Sequence, residues 1–225
     1  MDKSIYISMS GARAAMRAQT VVNHNLANAS TVGFRAELPE AATTVGADHD
    51  ARAYAGIATT RFSDAQGAIM STGRPLDVAI RGAGWLAVEA SDGSEAYTRA
   101  GDLRVDAAGV LRNAAGHAVR SENGAITVPS QETPAATIAR IKLVRPDAAS
   151  LERRADGLFR LKDGSVAPAD RSVTLESGML ESSNVNLAAQ LVQMIEISRR
   201  FEWQMRGVRT AEENARNTGS LLRSG

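Results

Sequence analysis

The residues of this sequence best suited to catalysis are acidic side chains in short alternating segments. Asp77, Glu89 and Asp102 are examples, and two carboxyl groups flanking a sugar linkage can hydrolyse it by acid–base catalysis. Nothing in their spacing separates them from solvated carboxylates on strands. No Ser-His-Asp or Cys-His arrangement is visible elsewhere in the sequence. We therefore predict that the chain is not an enzyme, with a hydrolytic site as the alternative.

Metal and phosphate sites are not predicted either. His24, His49 and His117 are scattered, with no second ligand at a metal-binding spacing, and the chain has no cysteine. The glycines of "RGAGW" (81–85) lie between strand-like segments and lack the Lys-Ser/Thr of a phosphate loop. We expect a turn there, and no cofactor or metal.

Composition limits the partners. The 225 residues carry a net charge of +1 with no dense basic stripe, so nucleic acid is not expected as a partner. No apolar run approaches the length of a membrane span, so no membrane insertion is expected. Ser4, Ser8, Ser10 and Arg13 interrupt the first apolar residues, which predicts that any export occurs without a cleaved signal peptide.

The N-terminal residues, 2 to about 29, have the pattern of a helix. Apolar residues recur at intervals of four and three at Ile5, Met9, Ala12 and Met16, and Val22 and Leu26 follow at an interval of four. Asn28, Ser30 and Thr31 followed by Gly33 predict the end of this helix. The amides of "NHNLAN" (23–28) have two readings, since asparagine caps helices in any protein and also forms intersubunit hydrogen bonds.

In the middle of the chain the spacing of apolar residues changes from the helical period to the alternation that is typical of strands. Residues 38–74 are rich in Ala, Thr, Gly and Asp and predict a connector with short strands. Residues 75–182 hold short alternating runs separated by turn pairs such as Asn123-Gly124 and Asp163-Gly164. Such pairs favour hairpins, so we predict an antiparallel β domain.

The C-terminal residues, 183–225, have the strongest helical period. Steps of four and three from Leu187 pass through Leu191, Met194, Phe201, Met205, Val208 and Leu222. Asn184 or Asn186 is the expected N-cap. This stripe serves pairing with the N-terminal helix, assembly with other subunits, or both. Trp203 lies off the stripe and is a candidate contact with a neighbour.

The predicted fold is therefore α+β and mainly β, with an antiparallel β domain inserted between terminal helices that pair as a coiled coil. The first helix and its motif occupy 1–37. Both stripes are narrow, and isolated helices of this kind are marginally stable in water. We expect further subunits to cover them.

Three segments resemble signatures of the flagellar axial proteins, which form rod and hook. They are "NHNLANASTVGF" (23–34), "RPLDVAIRGAGWLAV" (74–88) with "YTRAGDLRVDAAGVLRNAAGHAV" (97–119), and "LESSNVNLAAQLVQMIEISRRFEWQMR" (180–206). The opening "MDKSIYISMSGA" and the stretch from Phe201 are most similar to the proximal rod member. His24 stands where the family commonly has Asn, and the region after residue 131 is shorter than the family pattern.

The resemblance implies a structural rod subunit that assembles through its paired terminal helices, with a distal rod or hook position as the alternative. A wall-directed enzyme or binding module is the alternative from another class. Export by the flagellar type III apparatus, a periplasmic rod location, self-association, and contact with the distal rod protein FlgG and the inner proximal rod subunits are implied as well. The residues expected at the assembly interface are Ile5, Met9, Met16, Val22, Asn23, Asn25, Leu26, Asn28, Gly33, Phe34, Asn184, Asn186, Leu187, Leu191, Met194, Phe201, Trp203, Met205, Val208 and Leu222.

Overall fold

The structure, a computed structural model, describes residues 3–45, 53–122, 124–127 and 141–221. These residues divide into two compact units. Unit 1 falls within Met1–Ala27, Glu37–Phe62 and Asn186–Gly225, and unit 2 comprises Asn28–Ala36 and Ser63–Val185. The chain therefore passes between the units four times.

Unit 1 contains both helices and one β-hairpin. Helix α1 is Lys3–Ala27 and helix α2 is Leu187–Leu221. Strands β1 (Glu37–Val45) and β2 (Ala53–Phe62) pair antiparallel, with a register shift between Glu40 and Ala41. The region predicted as a connector with short strands thus forms strands of nine and ten residues. The alanines and glycines of this region had indicated a connector, but its β-branched threonines and valine favour the extended backbone of a strand.

Unit 2 is built from short strands. They are β3 (Ile69–Ser71), β4 (Val78–Arg81), β5 (Trp85–Glu89), β6 (Glu95–Thr98), β7 (Leu103–Val105), β8 (Leu111–Asn113), β9 (Ala118–Ser121), β10 (Gly124–Ala125), β11 (Leu143–Val144), β12 (Leu151–Arg153), β13 (Phe159–Leu161), β14 (Thr174–Ser177) and β15 (Met179–Glu181). A 3₁₀ turn at Ala148–Ser150 precedes β12.

Every strand pairing in unit 2 is antiparallel. The main sheet has the order β12-β13-β6-β5-β9-β8-β7, with β10 paired to β9 and β11 to β5. Two further pairs, β14 with β4 and β15 with β3, join the end of the unit to its beginning. The prediction of an α+β, mainly β fold with antiparallel sheets and two terminal helices is confirmed.

The core of unit 2 is formed by inward-facing residues of these strands. Val78, Ile80, Leu86, Leu103 and Leu111 belong to one cluster and are almost completely buried. Each contributes about 1.5–3 kcal/mol by leaving water. This core fixes β4 and β5, and the turn between them is the "RGAGW" segment, in which Gly82 has a φ of 77°. Neither helix, in the part of the chain that the structure describes, is apolar enough to cross a membrane.

Candidate assembly interface

Helices α1 and α2 pack against each other in antiparallel directions. Gly11 lies against Gln204, and Asn25 Nδ2 donates a hydrogen bond to Gln190 Oε1 at 3.3 Å. Gly11 and Asn25 are fourteen residues apart on α1, and their partners Gln204 and Gln190 are fourteen residues apart on α2 in the reverse order. The helices are therefore antiparallel and keep the same register between these two contacts. Between them, Ala15, Val22 and Ile197 form a buried cluster with Ala18, Met194 and Phe201 packed against it.

The contacting residues, called the helix seam below, follow a heptad rhythm. On α1 they are Ser8, Gly11, Ala15, Ala18, Val22 and Asn25; on α2 they are Gln190, Met194, Ile197, Phe201, Gln204 and Gly207. On α1 the intervals alternate strictly between three and four, and on α2 they do so as far as Gln204. Small residues dominate the α1 side, which lets the helix backbones approach closely: a Cβ on Gly207 would lie 3.0 Å from Ser8 Oγ.

The helix seam includes Val22, Met194 and Phe201 from the predicted stripes but leaves out several of their larger residues. Met9, Met16, Leu187, Leu191 and Met205 all remain exposed. The α1 side of the helix seam consists mostly of Ser, Gly and Ala, and a helical pattern of large apolar residues does not reveal such a side, which explains the difference. Leu26 and Val208 are half-buried, and the side chains of Ile5 and Leu222 lie outside the described residues.

Both helices carry exposed apolar side chains away from the helix seam. These residues, called the outer surface below, are Tyr6, Ile7, Met9 and Met16 on α1 and Leu187, Leu191, Val192, Ile195, Trp203 and Met205 on α2. Trp203 is the most exposed, at 75%. Exposed apolar residues in such number on two helices are typical of a surface that binds another protein.

The two helices differ in the signs of the charges that they carry. Helix α1 contains no acidic residue, and its Arg13 and Arg17 are exposed. Helix α2 carries the exposed carboxylates of Glu196 and Glu202 as well as arginines. An α1 surface without carboxylates is suited to a partner helix that presents acidic groups.

The asparagines of "NHNLAN" have three different environments. Asn23 is exposed, whereas Asn25 is 1% exposed and bonds to the backbone of Glu37 in both directions, at 2.8 Å each. Asn28 belongs to the turn after α1, where its carbonyl accepts from Thr31 N at 3.1 Å. His24, the unusual residue of the motif, has Nδ1 3.1 Å from Glu37 Oε1. The motif therefore joins α1 to the first residue of β1 within unit 1.

Gly33 and Phe34, the end of the same motif, belong to unit 2. Gly33 has a φ of 66°, and a Cβ there would lie 2.2 Å from the carbonyl carbon of Arg99. Only glycine fits both constraints. Phe34 is buried, with the Arg153 guanidinium 4.3 Å from its ring centroid.

The two asparagines of "LESSNVN" form different hydrogen bonds. Asn186 Oδ1 accepts a hydrogen bond from Ala189 N at 3.0 Å and is the N-cap of α2, as one of the two predicted options. Asn184 instead bonds within unit 2. Its Oδ1 accepts from Ala36 N at 2.7 Å, and its Nδ2 donates to Ala65 O at 2.7 Å.

A buried ionic cluster lies next to these residues in unit 2 and was not predicted. Glu181 Oε1 is 2.9 Å from Arg35 Nη2, and Glu181 Oε2 is 2.8 Å from Arg99 Nη1. All three side chains are at most 3% exposed, and both guanidiniums lie about 6 Å from the Trp85 ring. Burial lowers the pKa of both arginines, and Glu181 opposes that shift. Arg99 and Glu181 lie inside the quoted signatures and Arg35 directly follows the first one, which was the available signal.

The carboxylates considered for catalysis do not form such a cluster. Asp77 and Asp102 face each other across an isolated backbone bridge, and burial raises the pKa of Asp102. Glu89 ends strand β5. A groove of about 920 Å³ in unit 2 is lined by charged residues, several of which are paired with each other, such as Lys142 with Glu95 at 2.7 Å. No group of potential metal ligands occurs among the residues that the structure describes.

Three family models match successive parts of the chain. They are the flagella basal body rod protein model at residues 5–35, the flagellar hook protein FlgE/F/G D1 domain at 79–145, and the flagellar basal body rod FlgEFG protein C-terminal model at 176–221. The first covers the asparagine motif and the last covers Glu181, Asn184 and all of α2.

Full-length relatives agree with these matches. The flagellar basal-body rod protein FlgF of Escherichia coli K12 is 39% identical over 249 residues, covering 99% of both chains. The chain belongs to the flagellar basal-body rod protein family. The FlgF protein of Caulobacter vibrioides is 30% identical over 90% of both chains, and FlgG of Bacillus subtilis is 26% identical over 99% of this chain.

This rod protein is FlgF-like and is a structural subunit of the flagellar basal-body rod. Its relatives are structural proteins and not enzymes, so the comparisons confirm the prediction of a non-enzymatic role. The E. coli alignment spans 249 residues against 225 in this chain, so the relative has residues that this chain lacks. The region of the predicted shortening, after residue 131, lies outside the described residues as far as 140.

Proposed function

We propose that this chain is a proximal rod subunit that assembles through its two terminal helices. The helix seam pairs α1 with α2 as a coiled coil, and the outer surface binds the helices of neighbouring subunits. Those neighbours are other copies of this chain, the distal rod protein FlgG and the inner proximal rod subunits. The higher identity to FlgF than to FlgG relatives supports the proximal position over the distal one.

One observation carries the proposal. Among the side chains that the structure describes, ten large apolar ones of α1 and α2 are exposed, although the helices already bury a seam against each other. Met16 and Trp203, at 59% and 75% exposed, would bury large areas against a neighbour. The helix seam forms without these side chains, and assembly gives them a function.

Export by the flagellar type III apparatus, without a cleaved signal, and a location in the periplasmic part of the rod are parts of the same proposal. They are supported by the family of the chain and by the interrupted apolar pattern of its first residues. A direct test is secretion of the uncleaved chain by a strain that retains this apparatus, measured by the intact mass of the secreted protein.

Complementation of a deletion strain tests the assembly surface. Leu191→Asp and Met205→Asp place a carboxylate on the outer surface, while Gln193→Asp places the same group at an exposed polar position of α2. We expect the first two variants to fold, to be exported and to leave the strain non-motile, whereas Gln193→Asp restores swimming. Recovery of Leu191→Asp or Met205→Asp in purified basal bodies at wild-type level would refute the assigned surface.

A further inference from the structure

Three separate segments of unit 2 meet around Glu181 and Asn184. They are residues 33–36, 63–68 and 181–184, each of which adjoins a point where the chain enters or leaves the unit. Their backbones are joined directly: Gly33 N donates to Glu181 O at 2.8 Å, Ser63 N to Ala36 O at 2.7 Å, and Ser182 N to Ala68 O at 2.8 Å. We call these three segments the clamp.

Side chains of the last segment complete the clamp. Asn184 bonds to Ala36 on one side and to Ser63 and Ala65 on the other, so a single amide joins all three segments. Glu181 Oε1 accepts from Gly67 N at 3.0 Å, and Arg35 Nη1 donates to Ala65 O. Without residues 181–184, the described hydrogen bonds that still join segments 33–36 and 63–68 are the backbone bond from Ser63 to Ala36 and the bond from Arg35 Nη1 to Ala65 O.

The charge balance of the clamp depends on Glu181. Among the described residues, it is the carboxylate paired with both Arg35 and Arg99, which are at most 3% exposed. Arg99 also donates to Gly82 O at 2.6 Å, which attaches the cluster to the turn after β4. A buried pair that loses one partner leaves an uncompensated charge. Glu181 is the buried carboxylate in direct contact with both cations, while the charge of the exposed Asp64 acts on them in the same direction.

We propose that Glu181 and Asn184 close unit 2: residues 33–36 and 63–68 take their folded positions only after residues 181–184 have docked. Because 181–184 lie at the end of the unit in sequence, a chain synthesised from its N-terminus completes unit 2 only when this segment emerges. The main sheet does not depend on this step, since β6 pairs with both β5 and β13 without clamp residues. The inference concerns folding within unit 2 and does not rest on the proposed assembly.

Amide hydrogen exchange of the full chain tests this proposal. In Glu181→Gln, exchange at Gly33, Ser63 and Gly67 should become about 100-fold faster or more, because the clamp opens locally. Amides of β5 and β6 should keep their protection. Glu176→Gln is the matched control, since Glu176 lies nearby in sequence and pairs with the exposed Arg81 at 3.3 Å; it should leave clamp exchange unchanged.

Two further variants separate closure from general stability. Asn184→Ala keeps the charges but should open the same amides, and Arg35→Gln combined with Glu181→Gln should open them less than the two single changes predict together, because one uncompensated cation is removed. Unchanged clamp exchange in Glu181→Gln, equal loss of protection in β5 and β6, or strict additivity in the double variant would each overturn the proposal.

Discussion

The side-chain amide of Asn25 forms hydrogen bonds with both backbone groups of Glu37, as a neighbouring β-strand would. Its Nδ2 donates to Glu37 O and its Oδ1 accepts from Glu37 N, both at 2.8 Å, while Nδ2 also reaches Gln190 Oε1. One amide thus connects α1, the start of β1 and α2 within unit 1. This assigns an intramolecular role to a motif residue that was expected at the assembly interface.

Replacing Asn25 should destabilise unit 1. We expect Asn25→Ala to lower the free energy of unfolding by about 1–3 kcal/mol, because the backbone groups of Glu37 lose their partners. Asn23→Ala, two residues away and exposed, should change it by about 0.5 kcal/mol or less. Urea unfolding followed by far-ultraviolet circular dichroism measures both, and equal effects would contradict the assignment.

The register of the two helices can be tested by a disulfide. A Cβ on Gly207 would lie 3.8 Å from Ser8 Cβ, which matches the usual Cβ separation of about 3.8 Å in disulfides. The chain has no cysteine, so Ser8→Cys with Gly207→Cys offers one possible intramolecular bond. We expect it to form on mild oxidation, as measured by thiol titration of the monomer. Met9→Cys with Gly207→Cys should stay reduced, since Met9 points away from the helix seam; similar oxidation of both pairs would disprove the register.

Gly33 should tolerate no side chain. Gly33→Ala and Gly164→Ala introduce the same strain, because φ is 66° and 72° and each costs about 1–2 kcal/mol. Gly164 has open space around it, whereas a Cβ on Gly33 meets the Arg99 backbone at 2.2 Å. We expect Gly33→Ala to be the more destabilising by at least about 2 kcal/mol. Urea unfolding followed by Trp85 fluorescence in a Trp203→Phe background checks this, and equal losses would count against the close approach.

Tyr97 should make unit 2 sensitive to alkali. Burial raises the pKa of Tyr97 to about 12, from an ordinary value of 10.0, while its hydroxyl accepts a hydrogen bond from Ala167 N at 2.6 Å. Below pH 10 the phenol is protonated in both states and stability is unaffected. Between pH 10 and 12 the unfolded chain loses the proton first, so stability should fall as the pH rises. Ultraviolet titration should show a step near pH 12 that Tyr97→Phe lacks; ionisation of Tyr97 near pH 10 would contradict it.

Phe201 and Leu191 should separate folding from assembly. Phe201 packs on the cluster of Ala15, Val22 and Ile197, whereas Leu191 is 45% exposed. Phe201→Asp should therefore lower the thermal unfolding temperature of the monomer, while Leu191→Asp should leave it nearly unchanged. Differential scanning calorimetry makes the comparison. A destabilised Leu191→Asp monomer would show that the outer surface is needed for folding itself.

Local sequence patterns were enough to predict the helices and the β domain, and contiguous motifs were enough to indicate the family. Helical spacing located α1 and α2 to within a few residues, and Gly-containing pairs such as Asp163-Gly164 marked turns at which the glycine has positive φ. These features depend on neighbours close in the chain, which is why local patterns reveal them. The motifs around Asn25 and Asn184 were also legible, because their residues are contiguous.

The covered face of each helix could not be predicted in this way, because it depends on contacts between distant parts of the chain. A helix with several apolar stripes can bury any of them, and here backbone approach at Gly11 and Gly207 favours a seam of small residues that leaves Met16 and Leu191 exposed. The pairing of Arg35 with Glu181 likewise joins residues far apart in the chain. Sequence spacing carries no information about such a contact, because it exists only once the strands between the two residues have folded.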